Sequence, residues 1–393
     1  MHDTLLMIPA GEAALRLEKV KARMKAENIK HIIVRDTANI FYLTGRVFDG
    51  FIYINASGNP TYFVRRPNTI HHCKDVVAVT KPESMPEHID VPQGSEIGLE
   101  LDSLTYAMAT RIMKAFNAKA VNASAVMRKA RSVKTGMELE MLREDGIKHD
   151  HVYSKIPSLF REGMTDIELQ VEIERTSRLE GCLGQFRTAG DVMEIHMANI
   201  LAGDNADAAS PYDFAMGGQG MNPSLPVGAN GTVIRPGLSV MVDANGNFNG
   251  YMTDMTRTFA CTGDISEKAL KAHQCSIDIC RALEKSGRPG AEARALYEEA
   301  ASIARAAGLE DYFMGHSQHA GFVGHGVGIE INELPVIAPK SRDILETGNV
   351  IALEPKFVIP GTGAVGIENT YAVTANGLEA LTQSPEQITV FLP

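Results

Sequence analysis

Two aspartates, Asp243 and Asp254, lie eleven residues apart in the segment Ser239 to Phe259, SVMVDANGNFNGYMTDMTRTF. Strand-like runs flank the turn-rich stretch Asn245 to Gly250, a pattern typical of a β-hairpin with a loose tip. Folding the hairpin about Phe248–Asn249 predicts Asp243 opposite Asp254, about 5 Å apart, so that both carboxylates can bind one metal ion. Without a cation the two acids would repel each other, and one would stay protonated.

A second pair of acids is predicted in the segment Val350 to Val373, VIALEPKFVIPGTGAVGIENTYAV, where Pro360 to Gly363 forms the turn. Folding about this turn places Glu354 close to Glu368 on the opposing strand. Both glutamates interrupt apolar runs, so we expect both to be buried. A buried acid is costly unless it is paired or binds a metal ion, and two such hairpins therefore indicate a cation site.

His325 is the candidate nitrogen ligand, in the segment Gly324 to Pro335, GHGVGIEINELP. Glycines at 324, 326 and 328 permit close backbone approach and keep the imidazole accessible. A lone histidine is more often structural than a metal ligand, but this chain already offers four inward-facing acids. One nitrogen among several oxygens suits Mn²⁺, Co²⁺ or Fe²⁺ better than a cysteine-rich zinc site would.

Helices and strands that would position these residues fall into two groups. Before residue 130, helical patterns (Gly11–Asn28, Tyr106–Phe116) alternate with short strands (31–34, 51–54, 61–64, 76–79, 97–99), which predicts a small α/β domain. After it, capping boxes at Thr135/Glu138 and Thr165/Glu168 precede helices, and further helices are predicted at Ser266–Ser286 and Ala291–Ala307. We interpret the basic run Arg128 to Lys134 as a solvated linker and predict domains at 1–130 and 131–393.

The overall composition excludes several classes of partner. A net charge of -10 argues against a nucleic-acid or anionic-membrane binder, because both need a basic surface. No apolar run reaches the roughly 20 residues of a membrane-spanning helix, and the start lacks the pattern of a signal peptide. The five cysteines have no metal-type spacing and fit reduced thiols. We therefore expect a cytoplasmic enzyme.

In their order along the chain, the segments VDANGNFNGYMTDMTRTF, GHGVGIEINELP, LEPKF and GIENT resemble those of the pita-bread metallopeptidases. This family includes prolidase, aminopeptidase P, methionine aminopeptidase and the related creatinase. The stretch Asn39 to Gly45, NIFYLTG, is similar to the amino-terminal domain of the creatinases and prolidases. The resemblance implies an α+β protein with a carboxy-terminal pita-bread fold, a smaller α/β creatinase-type domain before it, and a homodimer.

The resemblance also implies a mechanism for a dinuclear Xaa-Pro peptidase, either a dipeptidase or an aminopeptidase. Asp243 would bind one divalent metal ion, His325 and Glu354 the other, and Asp254 and Glu368 would bridge them. Mn, Co or Fe is expected rather than Zn. A metal-bridged water would attack the peptide carbonyl, and Glu354 would be the catalytic group that accepts its proton.

Several positions depart from the pattern of the working peptidases. Two histidines that usually contact the substrate are replaced by Val227 and Asn332, and an arginine of some prolidases is replaced by Val336. Asn332 can still donate a hydrogen bond, and His316 or His319 is a candidate to enter the pocket in place of a lost histidine. These departures keep open a hydrolase or lyase of a small non-peptide substrate, as in creatinase. A third alternative is an inactive binding module.

Overall fold

The computed structural model describes residues 4–190 and 194–392, which form two compact units. The first unit ends at Arg131 and the second begins at Ser132. Each has its own sheets and apolar core. None of the helices in the described ranges is both long enough and apolar enough to cross a membrane.

The first unit is built on one mixed sheet of six strands with helices beside it. In chain order its elements are α1 (Ala10–Ala26), β1 (His31–Val34), α2 (Thr37–Thr44), β2 (Asp49–Asn55), β3 (Thr61–Arg66), β4 (Val76–Ala78), β5 (Glu96–Leu99), α3 (Tyr106–Phe116), β6 (Lys119–Asn122) and α4 (Ser124–Ser132). The strand order in the sheet is β4-β3-β2-β1-β5-β6. The strands and helices predicted from the sequence are all present, and α2, β6 and α4 are additional elements.

A buried acid, Glu100, follows β5 in this unit and is 3% exposed. Its carboxylate accepts hydrogen bonds from the backbone N–H groups of Arg35 and Asp36, both at 2.7 Å, and from the Asn39 amide at 2.5 Å. Burial is the largest influence on the Glu100 carboxyl and raises its pKa to about 7, although these donors act in the opposite direction.

The basic run from Arg128 to Lys134 is not a solvated linker, and this interpretation of the sequence was wrong. Most of the run lies in helix α4, and Arg131 is 2% exposed because its guanidinium donates to the Asn39 side chain at 2.8 Å. Lys134 is 5% exposed and pairs with Glu333 at 2.9 Å. Arg131 and Lys134 are each buried against a specific acceptor, whereas Lys129 is exposed, and a run of basic residues does not reveal this difference.

The second unit combines helices with antiparallel sheets. In chain order its elements are α5 (Gly136–Lys155), α6 (Asp166–Leu179), β7 (Ala198–Ala202), β8 (Ser239–Gly246), β9 (Thr253–Ala260), α7 (Glu267–Ser286), α8 (Ala293–Ala306), β10 (Gly324–Gly326), β11 (Glu333–Ile337), β12 (Val350–Leu353), β13 (Lys356–Ile359), β14 (Gly363–Gly366), β15 (Asn369–Thr374), β16 (Gly377–Ala380) and β17 (Thr389–Val390). Both predicted capping boxes are formed, at the starts of α5 and α6.

Three sheets of this unit meet where the candidate ligands lie. They have the strand orders β17-β9-β8-β7, β11-β10-β12-β15-β16 and β13-β14. An isolated bridge between Thr256 and Glu368 connects the first sheet to the segment between β14 and β15. Helices α7 and α8 bury their apolar faces in the same core as Phe357 and Tyr371, so these helices pack against the sheets that carry the two residues.

Candidate metal centre

The hairpin β8–β9 has a different register from the predicted one. Asp243 lies opposite Thr256, and Asp254 lies opposite Asn245, so the two aspartates are diagonal rather than directly opposed. The predicted turn was one residue too early, because the connection runs on to Met252. Since the shift moves the pairing by two residues, Asp243 and Asp254 still face the same side of the hairpin.

Glu354 and Glu368 have the predicted register and burial. Leu353 pairs with Asn369 in one ladder and Lys356 pairs with Gly366 in the next, so the two glutamates face each other where the ladders are interrupted. Glu354 is 4% exposed and Glu368 is 1% exposed. Because neither glutamate belongs to a ladder, both carboxylates can point into the space between the sheets.

The structure brings all five predicted ligands together, in two overlapping groups. Asp254, His325 and Glu368 form the first group, and Asp243, Glu354 and Glu368 form the second. Within each group, one ligand atom of every member lies within 4.8 Å of the others. Glu368 belongs to both groups, which is the position that a bridging ligand would take.

The first group fits a divalent cation. His325 has its Nδ1 3.1 Å from the carbonyl of Gly326, which leaves Nε2 to face Asp254 at 3.8 Å and Glu354 at 3.4 Å. A backbone acceptor on Nδ1 fixes the tautomer that presents a metal-binding Nε2 lone pair. In addition, Glu368 Oε1 is buried and has no hydrogen-bond partner among the described residues. A buried carboxylate oxygen without a donor needs a cation or a ligand beside it.

The second group does not fit a further cation, because the side chain of Lys356 already lies within it. Its ammonium Nζ is 2.7 Å from Glu354 Oε2, 2.9 Å from Asp243 Oδ2 and 3.1 Å from Glu368 Oε2. The Lys356 side chain has no exposed surface. All three acids of the second group are therefore hydrogen-bonded to one internal positive charge.

Burial and mutual repulsion shape the ionisation of these acids. Burial, together with the charges of Glu368 and Asp243, raises the pKa of Asp254 well above its ordinary value. Glu354 is the exception: burial would raise its pKa, but Lys356 and His325 outweigh this and hold it below the ordinary value. Glu354, which has the strongest positive partners, therefore stays ionised. Ionisation of the other acids is unfavourable, as expected when several acids share too little positive charge.

Two buried residues hold Glu368 in place from behind. Thr256 donates from its hydroxyl to Glu368 Oε2 at 2.7 Å. Arg257, 2% exposed, donates to the backbone carbonyl of Glu368 at 2.8 Å and to that of Ser384 at 2.7 Å. These contacts fix both ends of the glutamate, which limits the positions that a bound ion can take.

The loop that follows His325 is organised by Glu333. Its Oε1 accepts from the backbone N–H groups of Ile329 at 3.0 Å and Glu330 at 3.2 Å, and its Oε2 pairs with Lys134. A Cβ added at Gly328 would lie 2.5 Å from that same Oε2. The glycine is therefore required for space, in addition to the access to His325 that the sequence indicated.

The residues predicted with the substrate lie outside the cluster of five. The side-chain amide of Asn332 bonds the backbone of Ala189. Its oxygen accepts from the Ala189 N–H at 2.6 Å, and its nitrogen donates to the Ala189 carbonyl at 2.7 Å. His316 is exposed, with Nδ1 2.9 Å from Asp207, and His319 is exposed, with Nδ1 2.9 Å from the Phe313 carbonyl. Asn332 thus anchors a neighbouring loop, and both histidines have partners on the surface.

Lys356 is the residue of the centre that sequence reasoning missed. A signal was present, since it is a lysine within the otherwise apolar run LEPKFVI and only two residues after Glu354. A lysine in such a run is buried only when acids surround it, and four candidate acids had been identified.

Comparison with known proteins gives consistent results for both units. The sequence model for "Metallopeptidase family M24" matches residues 140–375, and that for "Creatinase/Prolidase N-terminal domain" matches residues 16–133. An uncharacterized peptidase, YqhT, of Bacillus subtilis is 28% identical, covering 96% of this chain and all of that protein. An Xaa-Pro dipeptidase of Pyrococcus furiosus is 25% identical, covering 95% of this chain and 99% of that protein.

Solved structures share the fold over nearly the whole chain. The Xaa-Pro dipeptidase from Bacillus anthracis superposes with a TM-score of 0.79 at 23% identity, covering 96% of this chain and 99% of that one. The prolidase from Pyrococcus horikoshii gives a TM-score of 0.76 at 22% identity, covering 94% and 99%. These findings confirm the predicted α+β pita-bread fold with its creatinase-type amino-terminal domain. The chain belongs to metallopeptidase family M24 and is a hydrolase.

Proposed function

We propose that this hydrolase is a metal-dependent peptidase that cleaves Xaa-Pro substrates. Family membership implies divalent metal ions, and the group Asp254, His325 and Glu368 is where one would bind. The observation that carries the proposal is the convergence of all five predicted ligands, with a Glu368 oxygen left without a donor in the described part of the chain. Relatives covering nearly the whole chain include Xaa-Pro dipeptidases, which supports this substrate class.

The roles follow from the geometry of the first group and of Glu354, which lies beside its histidine. A divalent metal ion supplies Lewis acidity, which polarises a carbonyl oxygen and makes water a stronger nucleophile at neutral pH. Glu354 Oε1, 3.4 Å from His325 Nε2, is the acceptor for the proton of the attacking water and returns it to the leaving nitrogen. Its depressed pKa keeps it ionised and able to accept. No step of this proposal uses a second metal ion.

A second candidate is hydrolysis of a small non-peptide amide or amidine. Val227 is buried and cannot bond a substrate, and Asn332 spends its amide on Ala189, so neither replaces a lost histidine. A site with fewer polar contacts for a peptide would suit a smaller substrate. The homodimer, the cytoplasmic location and the identity of the metal stay predictions.

The test is activity of the Mn²⁺- or Co²⁺-loaded protein on Xaa-Pro dipeptides and on longer Xaa-Pro peptides. We expect the protein to release the first residue of these peptides. This activity should be lost with a chelator and in Asp254→Asn. The exposed Asp264→Asn is the matched control and should keep full activity. Metal binding without cleavage of any peptide would contradict the peptidase proposal, and small amides would then be screened. The preferred peptide length separates a dipeptidase from an aminopeptidase.

A further inference from the structure

The ammonium of Lys356 has a complete set of acidic partners. Lys356 begins β13, two residues after Glu354. Its Nζ lies within 3.1 Å of an oxygen of Glu354, Asp243 and Glu368. A lysine ammonium has three N–H donors, so each donor has one carboxylate. All three N–H donors of the ammonium are therefore used, and a change of partner would gain no further hydrogen bond.

The three partners of Lys356 are the same acids that form the second ligand group. Metal ions of the expected kinds bind carboxylate oxygens at about 2.0–2.2 Å, so an ion held by these acids would occupy the region where the ammonium lies. The positive charges of ion and ammonium would also repel each other at that distance. Occupation by Lys356 and occupation by a second metal ion therefore exclude each other.

The backbone gives Lys356 little freedom to leave. It pairs with Gly366 in the β13–β14 ladder, and its carbonyl accepts from the Met314 N–H at 2.8 Å. The next residues of β13, Phe357 and Val358, have no exposed surface. An ammonium that moved away from its acids into these apolar surroundings would be buried without partners, which is strongly unfavourable.

We propose that Lys356 permanently takes the place of the second metal ion, so that this chain binds one divalent ion, at Asp254, His325 and Glu368. The positive charge that balances Asp243 and Glu354 is then part of the polypeptide rather than exchangeable. This inference rests on the proposed metal site but not on the proposed substrate. It replaces the dinuclear centre that the family resemblance implied with a mononuclear centre and an internal cation.

Metal stoichiometry tests the proposal. After treatment with a chelator, the full-length protein is titrated with Mn²⁺ by calorimetry, and bound metal is counted after gel filtration. We expect one ion per chain in the wild type, two in Lys356→Ala, and one in the control Lys285→Ala, which removes an exposed lysine of α7. Asp254→Asn should lose the single ion. Two ions in the wild type, none in the wild type, or one in a folded Lys356→Ala would overturn the proposal.

A second measurement needs no variant, in case Lys356→Ala does not fold. Electron paramagnetic resonance of the wild type saturated with Mn²⁺ should give the hyperfine pattern of an isolated ion. An exchange-coupled spectrum from a pair of ions would refute the inference. The two proposals fail separately: one bound Mn²⁺ without peptide cleavage would reject the Xaa-Pro substrate and leave the role of Lys356 intact.

Discussion

Removing the positive charge of Lys134 should destabilise the second unit strongly. The Lys134 and Glu333 side chains are 1% and 2% exposed, and their charged atoms are 2.9 Å apart. Lys134→Met would remove the ammonium that lies beside the buried Glu333 carboxylate, although the bonds of Glu333 to two backbone N–H groups remain. Breaking a buried pair by removing one partner costs about 3–5 kcal/mol, and the retained bonds favour the lower end of that range.

A thermal melt followed by circular dichroism measures this cost. At roughly 2–4 °C per kcal/mol for a unit of this size, the expected fall in Tm is roughly 6–20 °C. Arg143→Met is the matched control, because Arg143 also bonds a glutamate, Glu379, but the two side chains are 36% and 45% exposed. An exposed pair contributes about 0–1 kcal/mol, so this variant should melt within a few degrees of the wild type.

The double variant Lys134→Met/Glu333→Gln tests whether the cost comes from the buried Glu333 carboxylate that has lost its lysine. Replacing both partners removes the buried charge, so the double variant should recover most of the lost stability. Because the introduced glutamine keeps an acceptor oxygen for the loop after His325, metal affinity of the double variant should stay close to that of the wild type. If Lys134→Met melted no lower than the Arg143 control, or if the double variant were less stable than Lys134→Met, the reasoning would be refuted.

Other substitutions test separate contacts. Gly328→Ala should cost about 1–3 kcal/mol, because its Cβ would lie 2.5 Å from Glu333, whereas Gly136→Ala, with nothing within 4 Å, should be neutral in the same melt. Arg257→Met should weaken Mn²⁺ binding by about 10–100-fold in a calorimetric titration, because Arg257 holds the backbone of a ligand; unchanged affinity would contradict this. Glu100 has a pKa raised to about 7 in the folded state, so its contribution to stability is present below its unfolded pKa and is lost as the pH rises through 7. Hydrogen exchange of β1 should report a loss of about 3 kcal/mol between pH 4.5 and 8 that is absent in Glu100→Gln, and equal slopes in both proteins would exclude a raised pKa.

Local signals in the sequence determined most of the helices and one of the two hairpins. The residues of each capping box are three apart, and they bond each other at the starts of α5 and α6. These contacts are local and need no tertiary structure. In the Glu354–Glu368 hairpin, Pro360 to Gly363 confine the turn, so the register follows from counting outward from it. Alternation along the strands also placed Asp243 and Asp254 on one face, even though their register was misjudged.

Tertiary structure decided which charges are buried and what they meet. The β8–β9 loop is held by helix α5, where the Phe248 N–H donates to Asp145 at 2.7 Å and the Asn249 amide donates to the Met141 carbonyl at 2.8 Å, so its register depends on contacts far apart in the sequence. Lys134 and Glu333 are far apart in the chain and meet only when their elements pack. Lys356 needs acids from three segments, around β8, β12 and β15, before its burial is favourable. Residue types and spacing thus specified the acids of a cation site, whereas packing decided that one of its cations is a lysine, because a buried charge is stable only beside partners that the folded chain assembles.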